Sequence, residues 1–196
     1  MHLHRLSLQQ LPAKPWKNGA GSTKELACFP ADADVNDFVW RISVAELKQA
    51  ADYSIFAGVD RTQMLIQGNG VNLRGDSGES FRLPPLQAFH FAGEQFWHCE
   101  PDGVCQMLNI MTLRDAVRSE LALVHGDFSC VGDGQDLVLV LVQGEYKAHQ
   151  HGQSFSLGDV IKPALALGEA LSLSANFDAV LIAVKFLNKS WGHDAT

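Results

Sequence analysis

Three cationic side chains, Lys17, Arg41 and Arg61, could bind a ligand directly. A planar guanidinium holds a carboxylate through two parallel hydrogen bonds. Arg41 alternates with Ser43 in a strand-like segment, so a charge and a hydroxyl would share one face. Asn109 stands in a mostly apolar segment, and a buried amide requires hydrogen-bond partners. Together these residues predict a pocket for a small anion.

Each of these polar residues also has a structural interpretation. Arg61 could form an ion pair with the adjacent Asp60. Arg41 could point to solvent if Trp40 faces the interior. The partner of Asn109 could be backbone rather than ligand. The direction in which the two arginines point therefore decides between a binding role and a structural one.

The histidines have spacings that favour structural roles. His149 and His151 form a His-x-His pair beside a turn, which is typical of a surface hairpin. His2 and His4 alternate on a predicted first strand and would share an exposed face. His90 is either a structural residue held by a hydrogen bond or an acid or base in the pocket.

An internal repeat defines the fold class. Residues 65–68 (Leu-Ile-Gln-Gly) recur as residues 141–144 (Leu-Val-Gln-Gly), and residues 78–83 correspond to residues 152–157. A repeat indicates one chain built from two copies of a fold unit. The short Leu, Ile and Val run before each glycine is typical of a buried strand. This order of strands and glycines is typical of a cupin half. The sequence therefore predicts an all-β bicupin, with two cupin-like β-barrel halves (double-stranded β-helix) in one compact chain.

The residues at the usual cupin metal positions cannot bind a metal. Most catalytic cupins use a His-x-His pair, a Glu and a later His. Arg61 and Leu137 stand at the Glu position of the two halves, and no histidine occurs at 54–57 or 130–133. Transition metals need three or four converging ligands. We therefore expect no metal and no cofactor, and Arg61 would turn an interior built for a cation into one built for an anion.

Composition limits the classes of partner. The 196 residues carry a formal net charge of -7 and are 46% hydrophobic. This charge argues against nucleic acid or an anionic membrane as partner. Four cysteines without CxxC spacing, and an N-terminus unlike a signal peptide, indicate a cytoplasmic chain with reduced thiols.

The chain divides into two halves. Residues 38–44 alternate as a strand, whereas residues 45–51 and 113–124 have a helical pattern. The predicted organisation is a first cupin-like half with the candidate pocket (1–112), a linker (113–126), a second half closed by an exchanged N-terminal strand (127–187) and a frayed polar tail (188–196).

Five motifs occur in order: Pro15 to Gly19, Trp40 to Ala45, Phe56 to Arg61, Phe89 to Gly93 and Asn109 to Met111. In that order and spacing they resemble the HutD/Ves family of bacterial bicupins over roughly residues 1–187. The resemblance implies a metal-free small-molecule-binding protein, with HutD members associated with histidine utilisation and Ves members with stress response. It also implies that nine residues line or support the first-half pocket: Lys17, Asn18, Trp40, Arg41, Ser43, Asp60, Arg61, Asn109 and Met111. The first motif could also be a simple tight turn, which would leave Lys17 unexplained.

Three functions remain open from the sequence. The leading hypothesis is a sensor or regulator that binds a small anionic metabolite, a carboxylate from histidine breakdown. The alternative is a metal-independent cupin enzyme, an isomerase or hydrolase, with His90 or Lys17 as acid or base. A third hypothesis is a scaffold in which an exposed sheet edge pairs two chains into a homodimer.

Overall fold

The computed structural model describes residues 2–150 and 152–189, and all regular structure in these ranges is β-strand. The first half contains β2 (Lys14–Pro15), β3 (Gly21–Phe29), β4 (Trp40–Leu47), β5 (Ala51–Asp52), β6 (Val59–Gln67), β7 (Val71–Gly75), β8 (Ser80–Leu83), β9 (Ala88–Ala92), β10 (Trp97–Pro101) and β11 (Cys105–Leu113). The second half contains β1 (His2–Ser7), β12 (Val117–His125), β13 (Phe128–Val131), β14 (Asp136–Gln143), β15 (Glu145–Ala148), β16 (Ser154–Ser156), β17 (Asp159–Ala164), β18 (Ala170–Ala175) and β19 (Val180–Asn188).

Each half consists of one large and one small sheet, and the strand order is the same in both. The large sheet of the first half contains the order β4-β11-β6-β9, which corresponds to β12-β19-β14-β17 in the second. The small sheets have the orders β5-β10-β7-β8 and β13-β18-β15-β16. The chain is therefore an all-β bicupin, and the fold predicted from the repeat is confirmed.

The repeated glycines end equivalent strands. Gly68 follows β6 and Gly144 follows β14, with φ of +120° and +70°, where glycine is favoured over residues with a side chain. Near both glycines the pairing register shifts, at Gln106/Met107 for β6 with β11 and at Leu141/Gln143 for β14 with β19. This irregularity turns the chain from the large sheet into the small one, which explains why the Gln-Gly dipeptide occurs twice.

The two large sheets pack face to face and form a core that the halves share. Trp40 and Ile42 from β4 lie in one cluster with Val138, Ile182 and Phe186 from the second half. The rings of Trp40 and Phe186 stack with their centroids 4.1 Å apart. The Trp40 indole N–H donates to Asp136 Oδ2 at 3.2 Å. β1 adds to this connection, because this N-terminal strand leads directly into the first half and pairs along its whole length with β17 of the second half.

Two predicted helices and the predicted linker are corrected by the structure. Residues 45–47 complete β4 and residues 117–125 form β12, which pairs with β19 from Val117 to His125. Tertiary pairing has overridden a local helical preference. His151 and residues 190–196 of the predicted tail lie outside the described residues. Nowhere in the described chain does a helix have the length and apolar character needed to cross a bilayer.

We predict that Trp40→Ala lowers the free energy of unfolding by about 3–5 kcal/mol, because it removes a large buried ring from the core that joins the halves. Urea denaturation followed by circular dichroism measures the loss. Phe29→Ala is the matched control, since that ring stacks on Trp40 at 6.4 Å but is 48% exposed. An equal, small effect of both variants would show that the halves do not depend on this contact.

Candidate ligand-binding site

A cavity of about 560 Å³ lies inside the first half, on the face of the large sheet that points away from the second half. Strand alternation places its side chains: Trp40 and Ile42 pack between the halves, whereas Arg41 and Ser43 line the cavity. We call it the arginine cavity. Its polar and charged lining residues are Lys17, Asn18, Thr23, Arg41, Ser43, Asp52, Tyr53, Ser54, Arg61, Gln63 and Asn109.

Two rows of lining side chains cross the large sheet at paired positions of β4, β11 and β6. The first row is Ser43, Asn109 and Gln63. The second row is Arg41, Met111 and Arg61. The structure therefore brings five of the predicted residues together on one wall: Arg41, Ser43, Arg61, Asn109 and Met111. Met111 lies in the middle of its row, with Arg41 on one side and Arg61 on the other.

Arg61 is a buried cation without an anionic partner among the described residues. The residue is 7% exposed, and its Nη1 donates to the carbonyl oxygen of Ser54 at 3.0 Å. The guanidinium carbon lies 5.3, 5.4 and 4.8 Å from the ring centroids of Tyr53, Phe56 and Phe91. Its Nε has no hydrogen-bond partner. Burial lowers the pKa of Arg61 to about 10, so the group stays protonated at neutral pH.

The predicted alternative, an ion pair between Arg61 and Asp60, does not form. The two residues are neighbours in β6 and therefore point to opposite faces of the sheet. Asp60 instead accepts a hydrogen bond from Arg114 Nε at 2.7 Å, and Arg114 also contacts Glu94 at 2.7 Å. Asp60 is thus part of a network outside the arginine cavity.

Arg41 points into the cavity, so its interpretation as a solvated residue is wrong. Its Nε donates to Glu25 Oε2 at 2.8 Å, and its side chain is only 12% exposed. Glu25 orients the guanidinium and compensates part of its charge. Burial is the main cause of the low pKa of Arg61, and the positive charge of Arg41 lowers this pKa further. Two cations therefore act on the same space, and only one of them has a carboxylate partner.

Gln63 is a lining residue that the sequence analysis missed. Its Nε2 donates to Asn109 Oδ1 at 2.6 Å, and Asn109 Nδ2 donates to the carbonyl oxygen of Met107 at 3.1 Å. Gln63 Oε1 is buried and has no hydrogen-bond partner in the part of the chain that the structure describes. The amide pair therefore presents an unused acceptor on the same wall as the unused donor of Arg61. Its position two residues after Arg61 in the same strand places both side chains on the same face of the sheet. This spacing is the sequence feature that could have identified Gln63 as a lining residue.

Lys17 and Asn18 lie at the mouth of the cavity. Asn18 Oδ1 accepts a hydrogen bond from the backbone N–H of Ala20 at 3.0 Å, and Gly19 has a φ of +72°. The segment is therefore the tight turn that its Asn-Gly dipeptide predicts. Lys17 is exposed at this turn and adds a third positive charge to the lining.

Three of the residues assigned to the pocket from the sequence, Trp40, Asp60 and His90, lie outside the arginine cavity, and this part of the assignment is corrected. Trp40 belongs to the core between the halves. His90 is exposed on β9, where its Nδ1 lies 2.8 Å from Thr62 Oγ1. Trp40 and Asp60 have the wrong parity, because the next residues of their strands, Arg41 and Arg61, face the cavity instead. His90 pairs with Thr62, which points to the opposite face of β6 from Arg61.

The cavity has no set of metal ligands within the described part of the chain, where no three His, Cys, Asp or Glu side chains come together in a way that could hold a cation. Arg61 stands at the usual Glu position, and the lining residues nearest to the His-x-His positions are Ser54 and Phe56. Neutral hydroxyl and aromatic groups beside a guanidinium are unsuited to a transition metal.

The fold and the cavity define a bicupin whose interior is lined by arginines and amides. Residues 8–182 match the model of the HutD family. The chain belongs to this family, and the resemblance inferred from the five motifs is confirmed.

Relatives from several bacteria support this assignment. Protein Ves from Citrobacter koseri is 34% identical over 136 residues, which cover 68% of this chain and 70% of that protein. An uncharacterized 21.2 kDa protein in the hutC 3′ region of Pseudomonas putida is 28% identical over 184 residues, 93% of each chain. The structure of HutD from Pseudomonas fluorescens SBW25 (formate condition) aligns with a TM-score of 0.82 and 25% identity, covering 96% of this chain and 100% of that one.

We predict that the purified protein carries no stoichiometric transition metal, because the described residues of neither half offer three suitable ligands. Elemental analysis after gel filtration measures the content. One equivalent of zinc, iron, nickel or manganese per chain that survives mild chelation would contradict the prediction.

We predict that Arg61→Met leaves the free energy of unfolding unchanged or raises it by up to about 3 kcal/mol, because it removes a buried cation that has no ion-pair partner among the described residues. The sign follows from the pKa: burial disfavours the protonated form, so the cost is present at neutral pH and is relieved only above about 10. Thermal and urea denaturation measure the change. Arg74→Met removes an exposed arginine of β7 and should have little effect. A loss of several kcal/mol in Arg61→Met would show a structural role.

Proposed function

We propose that this protein binds a small carboxylate in the arginine cavity and acts as a sensor or regulator rather than as an enzyme. The observation that carries the proposal is Arg61, a protonated and buried guanidinium with an unpaired Nε–H and no ion pair among the described residues. Such a group is costly in an empty protein and is explained by an anion that completes it. A carboxylate matches the planar donor geometry of the guanidinium.

The rest of the lining narrows the ligand. Gln63 Oε1 is an unused acceptor one row away from the arginines, so the ligand should also carry an N–H or O–H donor. Tyr53 and Phe56 provide apolar surface beside the charge. A molecule with a carboxylate, a nearby donor and a short apolar part would satisfy all three features. Substituted amino acids and small heterocyclic acids have this combination.

The metabolic context comes from relatives. One relative lies in the hutC 3′ region of its genome, and another is named HutD. We therefore place the ligand among the carboxylates of histidine breakdown, and we expect the protein to act in the cytoplasm, where these metabolites occur. The carboxylate is the partner we propose, in preference to nucleic acid or a membrane surface. A homodimer remains a prediction of the sequence.

The alternative hypothesis of a metal-independent enzyme has less support. His90, one of its two candidate acid–base groups, is exposed on the other face of β9 and contacts Thr62. Lys17 is the remaining candidate and lies at the exposed mouth of the cavity. General acid–base catalysis requires a group within hydrogen-bond reach of the reacting atom, and the buried wall offers arginines and amides instead.

We predict that N-formylglutamate, urocanate or glutamate raises the melting temperature, whereas sugars, nucleotides and simple amines do not. A ligand at about 100 times its dissociation constant adds roughly 2.7 kcal/mol to the free energy of unfolding. Calorimetry should show that Arg61→Met lowers the affinity at least about tenfold, equivalent to about 1.4 kcal/mol. Arg74→Met is the control and should bind as the wild type does.

Two results would overturn this proposal. The first is that no carboxylate shifts the melting temperature at millimolar concentration. The second is that the shift survives when both Arg41 and Arg61 are replaced, because the ligand would then bind elsewhere. Either result would favour the scaffold hypothesis.

A further inference from the structure

A second cavity of about 490 Å³ lies in the second half, between β12, β13, β14 and β19. Neither the proposed carboxylate nor the shared core accounts for it. We call it the second cavity. Its position follows from the repeat, because the equivalent strands of the first half, β4, β11 and β6, form the wall of the arginine cavity.

The strand registers show which residues replace the polar rows. The row Ser43, Asn109, Gln63 becomes Ala122, Ala183, Leu139 in the second half. The row Arg41, Met111, Arg61 becomes Glu120, Lys185, Leu137. The amides and the buried arginine are thus replaced by aliphatic side chains, so the second half retains the cavity but not its anion chemistry.

The charged groups near the second cavity already have partners. Lys185 Nζ forms an ion pair with Asp133 Oδ2, and Glu120 lies 3.1 Å from Arg118 Nη2. The buried side-chain atoms without hydrogen-bond partners in the described chain belong to Tyr53, Arg61, Gln63 and Trp97, all in the first half. An ion that entered the second cavity could form an ion pair with one of these groups only if the existing ion pair of that group were broken.

The remaining surface of the second cavity is apolar. Phe128, Leu121 and Leu165 line it, and Val131 at its rim is 60% exposed. The rim loop is held by a hydrogen bond from the Gly132 N–H to the Glu169 carbonyl oxygen at 2.8 Å. A concave apolar surface of this size that is already formed is typical of a small-molecule site.

We propose that the second cavity binds a small, uncharged and mainly apolar molecule, such as one with a single aromatic ring system, independently of the carboxylate in the arginine cavity. The chain would then bind a charged ligand in the first half and an uncharged, mainly apolar ligand at the equivalent position of the second half. The proposal does not depend on the proposed function of the first half, because no residue is shared between the two linings.

Cys130 provides a readout that belongs to the second cavity alone. It lines the cavity and is partly exposed, whereas Cys28, Cys99 and Cys105 are buried. The experiment measures the rate of Cys130 alkylation by N-ethylmaleimide with mass spectrometry. The probes are indole, indole-3-acetate and tryptamine, which share a ring system and differ in charge.

We predict that indole at about ten times its dissociation constant slows Cys130 alkylation roughly tenfold, since the fraction of empty cavity falls by that factor. Indole-3-acetate and tryptamine should protect much less at the same concentration. Ala183→Leu should place a larger side chain in the second cavity and so abolish protection by indole. Ala122→Leu, on the neighbouring strand, serves the same purpose if the first variant does not fold. Arg61→Met should leave protection unchanged.

The proposal is overturned if indole has no effect on the alkylation rate, or if its protection persists in a folded Ala183→Leu or Ala122→Leu variant. Equal protection by the acid or the amine would overturn the assigned ligand class. Loss of protection in Arg61→Met would show that the two cavities are not independent. Failure of carboxylate binding in the first half would leave each of these outcomes unaffected.

Discussion

The face-to-face packing of the two large sheets is the constraint on which the site depends. Because side chains alternate along a strand, burial of Trp40, Ile42 and Val44 between the halves requires Arg41 and Ser43 to face the barrel interior. The same alternation turns Arg61 and Gln63 inward from β6. A slip of one residue would bury arginines between two apolar sheets, which would be strongly destabilising. The core between the halves therefore fixes the chemistry of the cavity.

The binding role proposed for Arg61 would come at a cost in stability. A buried guanidinium with one carbonyl acceptor, three aromatic contacts and an unpaired Nε is weakly compensated. Glu25 compensates Arg41, but no equivalent carboxylate approaches Arg61 within the described ranges. A methionine at position 61 would avoid the free-energy cost of burying a charge. The proposed carboxylate would explain why a cation occupies this position, and the Gln63 acceptor on the same wall fits the same proposal.

The all-β bicupin could be predicted from the internal repeat, and the alternation of β4 from a local pattern of period two. The sequence also identified Arg41, Ser43, Arg61 and Asn109, which the structure brings to one wall. It could not decide whether Arg61 pairs with Asp60, since that depends on Arg114, which is distant in sequence from both.

The errors have related physical causes. The segment of β12 has a helical pattern when read alone, but pairing with β19 along its length determines its structure. Trp40 was assigned to the pocket by its place in a motif, and His90 was considered as a possible acid or base, although the parity of both residues directs them elsewhere. Gln63 was missed because a glutamine gives no distinctive signal until the face of Arg61 is known.

In the proposed role, the positive charge of Arg61 is compensated only when a carboxylate binds in the arginine cavity. The Arg61 Nε–H resonance in a nitrogen-15 NMR spectrum, assigned by its loss in Arg61→Met, reports this directly. Titration with N-formylglutamate should move this resonance downfield in a saturable manner, because the unpaired Nε–H gains a charged acceptor. An Arg61 resonance that stays in place while calorimetry detects binding, or that no carboxylate moves at millimolar concentration, would contradict the account.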